Sequence, residues 1–320
     1  MAIKDMTFSN GVIKSLEKEL LNRAALSRII DEPSYNSALK SVKEQGFGRN
    51  VQTDNVDVLA EAETAALDDF VREFSPSKEY SAYCLKKIDY FNAEKYLRSK
   101  YIRGYGYEEK RTGLIENIAD KIDKKDKELP KELLAAYENC EKSFKNGTAT
   151  GVEISTEFLR AYYSDVLKVV KNKTLRDFLK REIDCKNLSA ALRSGSVEET
   201  KKQFISGGEL SENDMMFIAE AETEAILKKF AFTDFSDIIK TATGEKAEGK
   251  PLSSFEAYAD GYALYEMKKV KYETEGATPF TLYYLYKKAE IGNVKLILKC
   301  KKANLSPELI RRRLRTAYDG

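Results

Sequence analysis

Three stretches of the sequence set an acid three residues before an asparagine and a base six residues after it. They are IDYFNAEKYLRSK from Ile88, IDCKNLSAALRSG from Ile183 and AEIGNVKLILKCK from Ala289. The acids are Asp89, Asp184 and Glu290, and the asparagines are Asn92, Asn187 and Asn293. A leucine (Leu97, Leu192, Leu298) and a base (Arg98, Arg193, Lys299) complete each copy. A carboxylate accepts hydrogen bonds and a carboxamide both donates and accepts them. Both sit among apolar residues, where a polar group is costly to bury unless it is hydrogen-bonded. One chemistry open to such a pair is to clamp backbone N–H and C=O groups at a neighbouring helix end. Another is metal binding by three carboxylates that converge on a pseudo-threefold axis. The clamp is the favoured reading, because oxygen cages for metals usually draw several ligands from one flexible loop, and these acids are spread over three segments.

The elements that must position these residues read as helices. At about 100° per residue, an acid and an asparagine three positions apart lie about 60° from each other on one face. In the third copy that face also holds Val294, Ile297 and Leu298, whereas Lys299 lies on the opposite side. The bases are therefore expected to point outward. Helical periodicity runs through the chain, as in VIKSLEKELLNRAALSRII from Val12, with Ile13, Leu16 and Leu20 on one stripe. The six prolines (Pro33, Pro76, Pro130, Pro251, Pro279, Pro307) all fall between such patterns. FTLYYLY, from Phe280, has strand-like composition but runs directly into the third motif, so a helix is expected there. Residues 121–131 and 241–251 are polar or charge-alternating and read as loops.

The asparagines are separated by 95 and 106 residues, and repetition on this scale implies one supersecondary unit used three times. Each copy is preceded by a helix, a connector (FSPSKEY, VKNKTL, ETEGATP) and a second helix, which suggests an αα-hairpin whose second arm carries the asparagine. The expected fold is all-α, with repeats at 1–112, 113–197 and 198–320 and the last helix packing back on the first repeat.

Composition narrows the function. The 320 residues carry 54 basic and 52 acidic side chains, a net charge of +2 that lacks the positive excess of non-specific nucleic-acid binding. No histidine is present, which removes Ser-His-Asp and Cys-His catalysis and the commonest zinc ligand. The glycines of RGYGYEEK (Gly104, Gly106) and GEKAEGKP (Gly249) complete neither a dinucleotide turn nor a phosphate loop. No catalytic, cofactor-binding or metal-binding residue is assigned. Cys84, Cys140, Cys185 and Cys300 lie far apart and read as reduced, buried thiols. No apolar run approaches the roughly 20 residues of a membrane span, and the first residues do not have the pattern of a signal peptide, so a cytoplasmic location is expected. In such a protein the acceptor patterns at Asn146 and Asn172 are chance matches.

The residues also resemble a known family. NVKLILKCKKANLSPELIRRRL, from Asn293, is similar to the closing signature of the C subunits of archaeal-type and bacterial vacuolar-type rotary ATPases, the counterparts of the eukaryotic d subunits. Asn293, Val294, Lys295, Lys301, Leu305, Pro307, Glu308, Ile310 and Arg311 match it. Cys300 stands where a glycine is usual, and Ser306 where a first proline is usual. FSNGVIKSLEKELL resembles the family opening at Asn10, Leu16, Glu17, Leu20 and Leu21, and IDYFNAEKYLRSK resembles its Asp-x-x-Asn block. The resemblance implies an all-helical, funnel-like protein of three pseudo-threefold-related domains without catalytic residues or cofactor. It implies a rotor position between a shaft made of the D and F subunits and a membrane proteolipid ring, with torque passing between them while proton or sodium transport is coupled to ATP. Such a protein would be peripheral to the inner face of the cell membrane, held there by the ring. Arg98, Arg193, Lys299, Lys301 and Arg311 are the candidate partner contacts. The competing reading is a helical-repeat scaffold unrelated to rotary ATPases, but solenoid repeats of about 34–47 residues fit the observed spacing poorly.

Overall fold

The structure, a computed structural model, describes residues 6–267 and 276–319. Residues 1–5 and part of the third connector, 273–275, lie outside them. Among the described residues every regular element is an α-helix, and the one β-type contact is a parallel bridge between Asn22 and Tyr318. The chain divides into two compact units, Met1–Pro76 with Gly244–Gly320, and Ser77–Thr243.

Unit 1 is built on α15 (Thr278–Lys302), which contains the FTLYYLY stretch. Around it pack α1 (Met6–Glu17), α2 (Arg23–Asp31), α3 (Tyr35–Glu44), α4 (Val56–Phe74), α14 (Ser253–Met267) and α16 (Pro307–Arg312). Residues 279–286 of α15 are buried without a break, the signature of a helix covered on all sides. Phe70 of α4 stacks on Phe280 at 5.3 Å and tilts against Tyr283 at 4.6 Å, which joins the two helices through aromatic contacts. α16 packs on α2. Despite the cysteine at position 300, α15 runs on unbroken to Lys302. Its chain reversal comes at Asn304, in the left-handed region at φ 55°.

Unit 2 contains α5 (Lys78–Tyr101), α6 (Ile118–Asp123), α7 (Lys131–Lys145), α8 (Gly151–Val169), α9 (Lys173–Ser194), α10 (Val197–Gln203), α11 (Glu212–Glu220) and α12 (Thr223–Phe230). α8 lies along α5 and α7 and meets α9 over a shorter stretch, while α9 packs against α10 and α11. Phe158, Tyr162 and Tyr163 of α8 are fully buried, so these aromatics serve the core. The four cysteines are free and buried.

Local sequence sets the helix starts. Asn22, Asn55, Thr150, Asn172 and Ser306 each accept a bond from the first turn of their helix. Ser34 and Ser211 form capping boxes with Ser37 and Asp214. The loop expected over 241–251 is largely helical, because α13 (Ser236–Ala247) extends into it. Ala242 and Thr243 are buried, and the Thr243 hydroxyl donates back to the Ile239 carbonyl. Burial on one face overrides the polar composition, and the helix yields only before Gly249, at φ 64°, and Pro251. The 121–131 stretch is a turn only from Lys124 onward.

Candidate functional site: carboxylate and carboxamide clamps

The six motif acids and asparagines are all buried, each at most 4% exposed. They sit mid-helix on α5, α9 and α15, and each reaches the backbone of another segment. On α5, the Asp89 carboxylate accepts from the N–H groups of Leu114 and Ile115, both at 3.1 Å, and Asn92 Nδ2 donates to the Arg111 carbonyl at 2.7 Å. On α9, Asp184 accepts from Glu209 and Leu210, both at 3.0 Å. Asn187 pairs with Ile205 in both directions, at 2.8 and 2.9 Å. Each acid therefore holds two successive amides, and each asparagine holds a residue a few positions earlier in the same loop.

Glycines make room for the approach. A Cβ on Gly113 would lie 2.2 Å from Asp89 Oδ1, and one on Gly208 would lie 2.1 Å from Asp184 Oδ1. No side chain fits between carboxylate and loop at either place.

The third clamp differs. Asn293 pairs in both directions with Arg315, at 2.8 and 3.2 Å. Glu290 holds a different segment, accepting from the Leu21 N–H at 2.6 Å. Its other oxygen meets Lys287 at 2.6 Å, and Lys287 also bridges to Glu63 at 2.6 Å. Glu63 in turn accepts from the Gly48 N–H at 2.7 Å. The loop that is continuous in the first two clamps is thus supplied here by two separate stretches, joined laterally where Arg23 N–H donates to the Tyr318 carbonyl.

Desolvation dominates the electrostatics. Burial pushes the Asp89 carboxyl up to about 7 and that of Asp184 up to about 6, against the pull of the amides each one holds. Burial also raises the carboxyl of Glu290, while Lys287 draws it back. These are groups that fix packing. Among the described residues no cluster of three or more potential metal ligands forms.

Similarity to known proteins bears on what such a scaffold is for. A family described as ATP synthase (C/AC39) subunit matches residues 9–313. The chain belongs to the ATP synthase (C/AC39) subunit family. It is 25% identical over 312 residues to the A-type ATP synthase C subunit of Halorubrum lacusprofundi, covering 90% of this chain and 87% of that one. It is also 25% identical over 343 residues to the A-type ATP synthase C subunit of Methanocaldococcus jannaschii, covering 95% and 84%.

In this C/AC39 chain the expectation that all three motif bases point outward fails at Arg98. Its guanidinium grips Glu94 at 2.8 Å, the Gly151 carbonyl at 2.8 Å and the Ser155 hydroxyl at 3.0 Å, which ties α5 to α8. The start of α8 crosses the face that a bare helical wheel leaves empty. Lys299 is exposed and shares Asp57 with Lys295, at 2.8 and 2.7 Å; the two ammonium groups hold the Asp57 carboxyl down at about 2. Arg193 is exposed. Lys301 donates to the Glu32 carbonyl and Arg311 pairs with Asp31, so both fasten the end of the chain to α2 and the turn after it.

The repeat also extends further than the acid, asparagine and outer base. Three residues before each acid stands another base: Lys86, Arg181, Lys287. Lys86, half-buried, pairs with a buried Asp165 oxygen at 2.7 Å that also accepts from the Tyr90 hydroxyl at 2.7 Å. Arg181 reaches Glu209 at 3.2 Å and Asp234 at 2.7 Å and lies over Phe235. The signal for these bases is in the sequence, one helical turn ahead of the aligned acids. The acceptor loops RTGLI and ISGGEL share only a glycine before the two held amides, too short a signal to recognise without the fold.

Proposed function

We propose that this C/AC39-family chain is the non-catalytic central-stalk component of its ATP synthase. In this reading it links the shaft made of the D and F subunits to the membrane proteolipid ring and passes torque between them. Ion transport, of protons or sodium, would be coupled to ATP elsewhere in the complex. The observation that carries the reading is the recurrence of one buried device, an acid and an asparagine a turn apart gripping a distant backbone segment, on three long helices. A part loaded in torsion must hold its shape, and ties between helix interiors and loop backbones resist shear better than exposed ion pairs, which are worth about 0–1 kcal/mol each. The threefold repeat at 1–112, 113–197 and 198–320, with the funnel form that the resemblance implies, belongs to this proposal. So does a position at the inner face of the membrane. Among the described residues no helix is long and apolar enough to cross a membrane, so attachment would run through the ring.

The test is reconstitution. The purified chain is mixed with the D–F shaft pair and with detergent-solubilised ring, and complexes are isolated and crosslinked. Recovery of a ternary assembly is expected, with contacts to shaft and ring on distinct surfaces of the chain. Failure to retain either component would overturn the proposal, as would ATP turnover by the isolated chain.

A further inference from the structure

Residues 315–318 follow α16 outside any helix and lie half-buried on unit 1, bridged to Asn22 at Tyr318, in a groove whose features match them one by one. Asn293 takes both the N–H and the C=O of Arg315, a two-pronged grip on backbone. Asp260 of α14 receives the Arg315 guanidinium through two bonds, at 2.6 and 3.0 Å. Gly292 lies directly beneath that guanidinium, where a Cβ would come within 2.5 Å of it, and a Cβ on Gly261 would come within 3.2 Å of the Thr316 hydroxyl. The Tyr318 ring stands edge-on to Tyr286, with centroids 5.1 Å apart, and its carbonyl accepts from Arg23 N–H at 3.1 Å. The groove thus reads backbone at one position, a planar cation at its side chain, and an aromatic ring three residues on.

We propose that this groove is a peptide-binding site, filled in cis by residues 315–318, that accepts from another chain an extended segment with arginine at one position and tyrosine three residues later. The contrast with the other clamps argues for exchange. In those, the acid and the asparagine hold one continuous loop, so neither bond opens without disturbing the other. Here Glu290 holds Leu21 and Asn293 holds Arg315, so the strap can leave while Glu290 stays engaged. Its ties are also half-open to water, the Arg315 and Asp260 side chains being 32% and 46% exposed. Just ahead of the strap, the Arg313 Nε is buried without an acceptor, so the cis arrangement leaves a donor unsatisfied.

The experiment uses the full-length chain carrying R315A and Y318A, which weakens the strap and leaves the groove residues in place. A fluorescent peptide of residues 313–319 is titrated and followed by anisotropy. Saturable binding is expected, with a Kd on the order of 0.1 mM. Wild-type chain should bind about 10- to 100-fold more weakly, because its own strap competes at an effective concentration in the millimolar range. Peptides with either substitution should lose at least about tenfold, the loss of one charge-assisted or aromatic contact. A double variant that melts like wild type yet binds nothing at several millimolar peptide overturns the proposal. If that variant does not fold, hydrogen exchange of the wild-type chain decides. The Arg315 amide should open at least about 100-fold more readily than the Leu298 amide in α15, as a sub-global opening does. Equal protection of the two would overturn the proposal.

Discussion

Replacing Gly208 with alanine adds one methyl group and should open the second clamp. The new Cβ would sit 2.1 Å from Asp184 Oδ1, far inside van der Waals contact, and 2.8 Å from the carboxyl carbon. Gly208 is not in the left-handed region, so backbone strain does not enter. Asp184 is fully buried on α9 and has no room to swing aside. The loop must therefore retreat, and the Glu209 and Leu210 amides lose their acceptor. Hydrogen bonds to a charged group contribute about 1.5–3 kcal/mol each, and partial relaxation keeps the expected loss near 3 kcal/mol. At about 1.4 kcal/mol per factor of ten, exchange protection of those two amides should fall roughly 100-fold near pH 7.5. The assay is hydrogen exchange on the full chain, resolved to residues 205–211. Gly106, whose Cβ would meet nothing within 4 Å, supplies the control, and its alanine variant should stay within about 0.5 kcal/mol of wild type. A double-mutant cycle sharpens the test. With Asp184→Ala already present the added methyl has nothing to strike, so Gly208→Ala should then cost less than about 0.5 kcal/mol. Protection in Gly208→Ala within threefold of wild type, or a full additive loss in the double variant, would refute the clamp as a tie that needs direct contact.

The remaining expectations follow from the same geometry. The Asp89 and Asp184 carboxyls are raised in the folded state, from 3.8 to about 7 and about 6. Below about pH 4 both states bind the proton and the contribution of these groups to stability is complete; it is lost as pH rises through 6 and 7. Chemical denaturation of Asp89→Asn and Asp184→Asn between pH 4.5 and 8 should show a shallower decline than wild type, and an unchanged slope would count against the raised values. Arg98→Ala should destabilise by about 1–3 kcal/mol, since it strips the charge from a part-buried Glu94 and removes the bonds that tie α5 to α8, whereas Lys299→Ala on an exposed pair should change stability by less than about 1 kcal/mol. Urea midpoints compare the two. Cys140 and Cys185 are buried with thiols pushed up to about 12, and Cys84 and Cys300 are buried too. A disulfide-exchange reagent should leave all four untouched at pH 8 in the native chain and react with all four in denaturant.

Helix stripes, caps and prolines specify an all-α chain from sequence alone, because each is a local effect. The wheel places Asp89, Asp184 and Glu290 beside their asparagines on apolar faces, and a buried acid and amide need partners. What each would hold is not legible there. Arg111 and Ile205 lie 19 and 18 residues beyond their asparagines, whereas Leu21 lies 269 residues before Glu290. Nothing local distinguishes these cases. Arg98 defeats the wheel for a related reason: a wheel shows one helix, and the start of α8 that turns this base inward is some 53 residues away. The helix through residues 241–247 is hidden because its polar composition is outweighed by burial of Ala242 and Thr243, a tertiary effect.

The third clamp shows why the chemistry can vary while the device persists. The first two clamps use aspartate, whose short side chain brings helix and loop so close that a glycine must face it. The third uses glutamate, one methylene longer, and it holds Leu21 with no glycine at the contact. The longer reach lets the carboxylate keep Lys287 as a second partner, and Lys287 draws in Glu63 from α4. One ammonium between the buried Glu290 and the half-buried Glu63 compensates desolvation better than backbone amides alone, because it supplies a full opposite charge. Shortening Glu290 to aspartate would therefore not convert this clamp into a copy of the others. It would pull the carboxylate back from both Leu21 and Lys287 and leave Lys287 with Glu63 alone. The acid position is thus set by the distance to the backbone it must hold, and the glycine is a consequence of that distance.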